Sequence, residues 1–157
     1  VLFGDGAGAT VVELKEGTEL YSVWGSEGLT DVLGCTGQNM GKAHIFMDGQ
    51  RTFKNAVKRM GSAAAEVLEQ SGYTMDDIDY VVCHQANERI IDAVVKRMDI
   101  PEEKVVKVIA RYGNTSAASI PITLDEMYEQ GMLEKGKRLL LATFGAGFTW
   151  ASMIVEI

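Results

Sequence analysis

Three stretches of the chain place their apolar residues at helical spacing. Apolar residues across 53–68 recur every three or four positions, which predicts a helix of roughly five turns that ends near Gly72. A third helix is predicted over residues 115–130, where Pro121 falls in an early turn that tolerates it. Between these two, a helix is predicted from a single apolar face made of Ile90, Ile91, Val94, Val95 and Met98.

Short apolar runs between the helical stretches have the length and composition of strands. Residues 79–83 and 105–109 are predicted as strands, the first of them fully buried. Residues 138–144 and 149–157 are predicted as two more strands, joined through a Gly-Ala-Gly turn. Strands that alternate with helices in this way favour a layered α/β domain with a mixed β-sheet packed against helices.

The N-terminal third has a weaker pattern. Residues 7–14 are typical of a strand, and residues 19–24 are predicted as its antiparallel partner across a short turn. Residues 25–50 are rich in glycine and polar side chains and have no clear period. We therefore expect a long surface excursion there, before the first helix begins.

Composition limits the class of protein. The chain has 157 residues, of which 46% are hydrophobic, enough for one buried core. It has no apolar run near the ~20 residues of a membrane span and no N-terminal secretion signal, so we expect a cytoplasmic domain without membrane contact. The two cysteines, Cys35 and Cys83, lack metal-ligand spacing, and we expect no metal site and no disulfide.

The charge is acidic overall but unevenly distributed. A net charge of −7 argues against a nucleic-acid partner, because phosphate binding needs clustered lysine and arginine. Residues 51–111, however, carry ten basic side chains. Arg51, Lys54 and Lys58 fall at helical spacing on one face, and the next predicted helix carries Arg89, Lys96 and Arg97. An ordinary solvated helix face explains such a run, and a local basic face that steers an acidic partner is the alternative.

Two polar residues stand where the chain leaves predicted strands. His84 follows the strand at 79–83 and precedes a helix, a position where α/β sheets present ligand sites, and Asn114 lies in Tyr-Gly-Asn-Thr-Ser. Two neutral donors that converge on one carbonyl oxygen stabilise an enolate or oxyanion. Alternatively, His84 is a structural residue and Asn114 forms a turn or a helix N-cap, unless Thr115 or Ser116 caps that helix instead.

These residues occur together with two glycine-rich motifs, Phe3-Gly-Asp-Gly-Ala-Gly and Phe144-Gly-Ala-Gly-Phe-Thr-Trp150. Together the four pieces resemble the C-terminal half of a β-ketoacyl-acyl-carrier-protein synthase III, a condensing enzyme of thiolase fold. The resemblance implies that residues 1–157 form one thiolase-like half. The acylated cysteine of the family lies in the other half, and nothing here, Cys35 included, matches its motif, so we expect the cysteine-bearing N-terminal half to be absent.

The resemblance also implies roles for single residues. The residues that match His84 and Asn114 donate hydrogen bonds to the thioester carbonyl of a malonyl group, and His84 would act as the neutral tautomer held at its other nitrogen. Gly145, Ala146 and Gly147 resemble an oxyanion loop whose backbone amide would belong to Ala146. A plain hairpin turn is the alternative for that loop.

Two further sets follow from the same resemblance. Residues that would contact coenzyme A or the pantetheine arm are Met47, Gly49, Phe53, Ala86 and Asn87. Residues that would dock the acyl carrier protein are Lys54, Arg89, Lys96 and Arg97. Phe53 also has the spacing of a helix-core residue, and Asn87 that of an N-cap.

The implied parent enzyme is a homodimer that condenses an acyl-CoA primer with malonyl-acyl carrier protein by decarboxylative Claisen condensation, the reaction that initiates fatty-acid synthesis. Its substrates are the two thioesters, and no metal or redox cofactor is implied. One alternative is a related condensing or acyl-transferring enzyme of secondary metabolism. Another is a non-catalytic module that binds coenzyme A or the carrier protein, since we expect this chain alone to be inactive.

Overall fold

A computed structural model describes residues 3–13, 16–17, 20–36 and 44–157. Its strands are β1 (Tyr21–Ser26), β2 (Leu33–Thr36), β3 (His44–Met47), β4 (Tyr80–Cys83), β5 (Arg138–Gly145) and β6 (Thr149–Glu156). Its α-helices are α1 (Gly49–Ser71), α2 (Glu88–Met98), α3 (Ile109–Tyr112) and α4 (Ser119–Glu129).

Four of the strands form one mixed sheet in the order β1-β6-β5-β4. β6 pairs antiparallel with both β1 and β5, whereas β4 pairs parallel with β5. Side chains alternate between the two faces of a strand, and one face packs against α1 and α2 in the main core. On the other face, Val82 and Leu139 pack against Met127 of α4. This arrangement confirms the predicted layered α/β domain with a mixed sheet.

The long helix α1 confirms the first helical pattern. It begins at Gly49, four residues before the apolar spacing starts, because the Asp48 side chain caps it by accepting a hydrogen bond from the Arg51 N–H. It ends at Gly72, where a left-handed φ of 74° closes the last turn. Within the described ranges, no helix has both the length and the apolar character needed to cross a membrane.

Four other predicted elements are confirmed. β4 lies within the predicted strand at 79–83, and β5 and β6 form the predicted C-terminal hairpin. α2 buries the apolar face named above, starts at an Asn87 N-cap and carries Lys96 and Arg97 in its last turn, where they complement the helix dipole.

The strand predicted at residues 105–109 is wrong. A single parallel bridge joins Val105 to Val81, and the chain turns into α3 at Ile109. The Gln85 side chain accepts hydrogen bonds from the backbone N–H groups of Val108 and Ile109, at 3.0 and 3.1 Å. A side-chain amide therefore occupies donors that a neighbouring strand would otherwise use.

The predicted N-terminal strand pair is also wrong. Residues 7–13 form no strand, and Val11 and Val12 are 98% and 86% exposed, while position 14 lies outside the described residues. β1 pairs with β6 instead, with Val23 opposite Ser152. This register buries Val23 in the main core, which pairing with an isolated N-terminal strand would not do.

Two other expectations need correction. The surface excursion at 25–50 contains a β-hairpin in which β2 and β3 pair antiparallel, although residues 37–43 lie outside the description. The helix predicted at 115–130 is divided into a 3-10 turn over Ser116–Ala118 and the helix α4. A 3-10 turn of three residues is too short to be recognised from the spacing of apolar residues.

Candidate active site

A cavity of about 650 Å³ opens where β4 and β5 end and where α1 and α2 begin. It gathers most of the predicted site residues, namely Met47, Gly49, Phe53, His84, Ala86, Asn87, Arg89, Asn114, Gly145 and Ala146. The remaining predicted residues, Gly147, Lys54, Lys96 and Arg97, are not part of its lining. Two groups of residues in the lining differ in chemistry. We call them the polar wall (His84, Asn114, Gly145 and Ala146) and the hairpin wall (Leu33, Gly34, Cys35, Ile45 and Met47).

His84 is held on several sides. Its backbone N–H donates to the carbonyl of Ala142 at 2.8 Å, and its ring Nδ1 lies 2.7 Å from the Ser119 Oγ. The Phe144 ring meets the imidazole edge to face at 5.5 Å. Burial lowers the pKa of His84 to about 4, so that the ring is neutral at pH 7. Within the described part of the chain, Nε2 makes no hydrogen bond.

Asn114 is oriented by backbone groups. Its Oδ1 accepts the Ser116 N–H at 2.9 Å, which identifies that atom as oxygen and leaves the amide nitrogen without a hydrogen bond among the described residues. The Asn114 carbonyl accepts from the N–H of Gly4 at 2.9 Å. A Cβ on Gly4 would lie 2.1 Å from the Tyr112 carbonyl oxygen, so only glycine fits there. The alternative that Asn114 forms a turn is confirmed by this Oδ1 contact two residues along the chain. The alternative that Thr115 or Ser116 caps the next helix is wrong, because neither side chain does so.

The turn between β5 and β6 presents one backbone donor. The Thr149 hydroxyl donates to the Ala146 carbonyl at 3.2 Å, whereas no hydrogen bond of the described residues uses the Ala146 N–H. Gly147 has a φ of 136° and its carbonyl accepts from the Leu29 N–H at 2.9 Å. Gly147 therefore ties the turn to Leu29, whereas Ala146 lines the cavity.

Sequence reasoning missed two residues that position this wall. Gln85 is 1% exposed, and its side chain bonds four backbone groups: the carbonyls of Cys83 and Val106 and the N–H groups of Val108 and Ile109. It therefore ties the His84 loop to the segment that leads to Asn114. Ser119, on α4, is the partner of His84. The contacts of Gln85 with residues 106–109 and of Ser119 with His84 join residues more than 20 positions apart. No local pattern in the sequence indicates them.

The hairpin wall and Phe53 supply the apolar part of the cavity lining. Ile45 is 58% exposed and Met47 43%. Phe53 is 38% exposed and lines the cavity, so the alternative that it belongs to the helix core is wrong. Asn87 does cap α2, its Oδ1 accepting the Arg89 N–H at 2.9 Å, and it also lines the cavity.

The cysteines differ sharply. Cys83 is fully buried, and burial raises the pKa of its thiol to about 12, so it is a core residue and not a nucleophile. Cys35 is exposed on the hairpin wall. Across the described ranges, no group of histidine, cysteine and acidic side chains could hold a metal ion.

The basic residues predicted to dock the carrier protein lie on α1 and α2. Lys54, Arg89, Lys96 and Arg97 are all exposed, and Arg89 alone of these four reaches the cavity lining. The Arg97 side chain crosses to α1, where a Cβ on Gly61 would lie 2.9 Å from its Cδ. Arg51 pairs with Asp31 at 2.6 Å, so its charge is already partnered.

Comparisons with known proteins give a consistent result. The family described as 3-oxoacyl-[acyl-carrier-protein (ACP)] synthase III C terminal matches residues 68–157. The β-ketoacyl-[acyl-carrier-protein] synthase III of Caldanaerobacter subterraneus subsp. tengcongensis is 46% identical over 172 residues, covering 99% of this chain and 51% of the relative.

Solved structures agree. The 3-oxoacyl-(acyl carrier protein) synthase III of Pseudomonas aeruginosa PAO1 superposes with a TM-score of 0.83 at 39% identity, over 90% of this chain and 45% of that one. The priming β-ketosynthase of the R1128 polyketide biosynthetic pathway gives a TM-score of 0.79 at 35% identity, over 88% and 45%.

The chain thus spans about half the length of the relatives it matches. Its mixed sheet and helices are one half of a thiolase-like fold. The chain belongs to the 3-oxoacyl-[acyl-carrier-protein] synthase III family, of which it represents the C-terminal domain.

Proposed function

We propose that this chain is the C-terminal half of a β-ketoacyl-acyl-carrier-protein synthase III, which condenses an acyl-CoA primer with malonyl-acyl carrier protein and so initiates fatty-acid synthesis. One observation carries the proposal. Within the described residues, three nitrogen atoms of residues that line the same cavity make no hydrogen bond: His84 Nε2, Asn114 Nδ2 and the backbone N of Ala146. They occur in a chain that belongs to this family.

The proposed chemistry divides these donors between two carbonyl groups. Loss of carbon dioxide from a malonyl thioester leaves an enolate, and His84 and Asn114 lower its free energy by donating hydrogen bonds without taking up a proton. The low pKa of His84 favours this role, because the imidazole stays neutral at pH 7 and can donate a hydrogen bond without carrying a charge. The Ala146 N–H polarises the carbonyl of an acyl group carried by a cysteine, which we place in the part of the relatives that this chain does not cover.

The cavity accommodates the common part of both substrates. Acyl-CoA and malonyl-carrier protein each present a pantetheine arm, and a volume of about 650 Å³ lies in the range of small-molecule sites. Met47, Phe53 and Ala86 supply apolar contacts to the arm. The rim residue Arg89, with Lys54 on α1, supplies positive charge for an acidic carrier protein. Gly49 and Asn87 line the path of the pantetheine arm. The homodimer remains a prediction.

A second candidate is a priming ketosynthase of secondary metabolism. The similarity to the R1128 priming β-ketosynthase favours it, because that relative superposes on this chain nearly as well. Both candidates would use the same three groups of this chain. The primer is therefore what separates them.

The decisive experiment uses the complete protein, with this chain joined to the cysteine-bearing half. Purified protein is incubated with a series of acyl-CoA primers and malonyl-carrier protein, and both carbon dioxide release and the β-ketoacyl product are measured. We expect condensation with primers that enter fatty-acid synthesis. Turnover confined to other primers supports the second candidate, whereas acyl loading without any condensation contradicts both.

The isolated chain provides a second test of the split site. Without the cysteine of the other half it should transfer no acyl group from radiolabelled acyl-CoA. Labelling of Cys35 at a catalytic rate would overturn the proposed mechanism, and Cys35→Ser provides the control.

The carrier-protein surface is tested by charge reversal. Lys54→Glu combined with Arg89→Glu should weaken the use of malonyl-carrier protein and spare acyl loading from acyl-CoA, and the effect should shrink as salt screens the exposed charges beyond ~10 Å at 0.1 M. Lys135→Glu is the control, because Lys135 is exposed near the start of β5, at the end of the strand opposite Ala146. Equal losses with both substrates would count against this surface.

A further inference from the structure

The Ser119 hydroxyl is the buried partner of the His84 ring. Ser119 is the first residue of α4 and is 2% exposed. Its Oγ lies 2.7 Å from the His84 Nδ1 and 3.2 Å from the backbone N of Gln85. We propose that Ser119 is a positioning residue that fixes the tautomer of His84: its O–H donates to Nδ1, so that the ring proton resides on Nε2 and is available to the cavity.

Counting donors and acceptors leads to this assignment. A hydroxyl has one hydrogen to donate and two lone pairs to accept with. The Gln85 N–H occupies one lone pair of Ser119 Oγ. Within the described residues, the only hydrogen-bond acceptor that Ser119 Oγ contacts is His84 Nδ1. If Nδ1 carried the ring proton, Ser119 would accept twice and its own hydrogen would be buried without a partner, which is unfavourable.

The surroundings of Ser119 hold its hydroxyl in place. Its backbone carbonyl accepts the hydroxyl of Thr123 at 2.8 Å, and Thr123 is fully buried on α4. The Gln85 N–H fixes the direction of the Oγ from the side of β4. Two elements that are distant in sequence, the loop after β4 and the first turn of α4, therefore meet at this one oxygen.

Phe144 completes the environment of the ring. Its side chain is 9% exposed and packs edge to face against the imidazole. Burial also keeps the ring neutral at pH 7. A neutral ring has two tautomers, and only the one with its proton on Nε2 can donate into the cavity. This consequence for catalysis rests on the proposed function, whereas the tautomer assignment does not.

The tautomer can be read directly from 15N-histidine-labelled protein by solid-state NMR, which does not require a monodisperse sample. The chain has two histidines, and His44→Gln removes the signal of the exposed one and so assigns the other. At pH 7 we expect the His84 proton on Nε2. A proton on Nδ1 in the unsubstituted chain would overturn the proposal without any variant having to fold.

Two variants test the part played by the hydroxyl. Ser119→Ala should turn the single tautomer into a mixture, and Ser119→Thr, which keeps a hydroxyl, should restore it. An unchanged tautomer in Ser119→Ala would show that another group fixes the ring and would refute the role of Ser119.

Kinetics of the complete protein supply an independent reading. Ser119→Ala should lower kcat for malonyl decarboxylation about 10-fold and leave the KM for acyl-CoA unchanged, and Ser119→Thr should recover most of the rate. A correct tautomer in a complete protein that never condenses the two substrates would reject the proposed function and leave the Ser119 assignment standing.

Discussion

The two walls of the cavity are built differently. On the polar wall, His84 is fixed by Ser119, Ala142 and Phe144, and Asn114 is fixed by backbone groups on either side of it. On the hairpin wall, Ile45 and Met47 project from a two-stranded sheet that is separate from the main one and leaves them about half exposed.

This difference matches the two tasks that we propose for the site. Stabilising an enolate needs dipoles that are already oriented before the reaction, since reorientation would cost free energy in the transition state. Holding a flexible pantetheine arm needs apolar area, which adaptable side chains such as methionine supply. We therefore expect substitutions on the polar wall to change kcat or stability, and substitutions on the hairpin wall to change KM.

The largest expected effect is the loss of a donor from the polar wall. In the complete protein, His84→Ala or Asn114→Ala should reduce malonyl decarboxylation and condensation by roughly 10²–10³-fold, the usual loss for one oxyanion donor. Acyl loading should suffer less, because the Ala146 N–H still polarises that carbonyl. Separate assays of loading and condensation check this, and an equal fall in both would show that the donors do not divide the work as proposed.

The second effect concerns stability and compares two glutamines: Gln85, which is buried and supports the polar wall, and Gln50, which lines the cavity from α1. Gln85→Ala leaves the backbone N–H groups of Val108 and Ile109 unpaired and should lower the free energy of unfolding by roughly 2–4 kcal/mol. Gln50→Ala, an exposed change at the start of α1, should alter it by less than about 0.5 kcal/mol. Urea denaturation followed by tryptophan fluorescence measures both. Similar values would mean that the Gln85 side chain does not stabilise the segments that carry the polar wall.

The third effect is a pH dependence that belongs to His84. Its folded pKa of about 4 lies below the usual 6.5, so the unfolded chain binds the proton first as the pH falls. Stability should therefore be unaffected by this group above pH 7 and decline between pH 6.5 and 4, by up to about 3 kcal/mol. The His84→Gln variant should lack this part of the decline and His44→Gln should keep it. Parallel curves for His84→Gln and the unsubstituted chain would contradict the buried, neutral ring.

The smallest effect is expected on the hairpin wall. Ile45→Ala or Met47→Ala removes about three methylene-sized groups that are half exposed, so KM for acyl-CoA should rise roughly 3- to 10-fold, from about 0.8 kcal/mol per fully buried group. The value of kcat should stay constant. A fall in kcat of the size predicted for His84→Ala would remove the distinction between the two walls.

The sequence predicted the elements whose signals are local. α1 and α2 follow from apolar spacing, α2 also from the N-cap position of Asn87, and β5 and β6 follow from two apolar runs around a glycine turn. His84 follows a predicted strand that the structure contains, whereas Asn114 follows one that it does not, and both residues still line the cavity. These features need only the neighbours of a residue along the chain, or one amphipathic face.

Tertiary structure decided the rest, because the deciding partners are distant in sequence. Residues 7–13 and 105–109 have strand-like composition, yet β1 pairs with β6, and Gln85 takes up the donors of Val108 and Ile109. A strand forms only where a second strand pairs with it through hydrogen bonds. The composition of a segment does not show which other segment that will be. The same holds for Ser119: it lies 35 positions from His84, and only the packing of α4 against the end of β4 brings its hydroxyl to the ring.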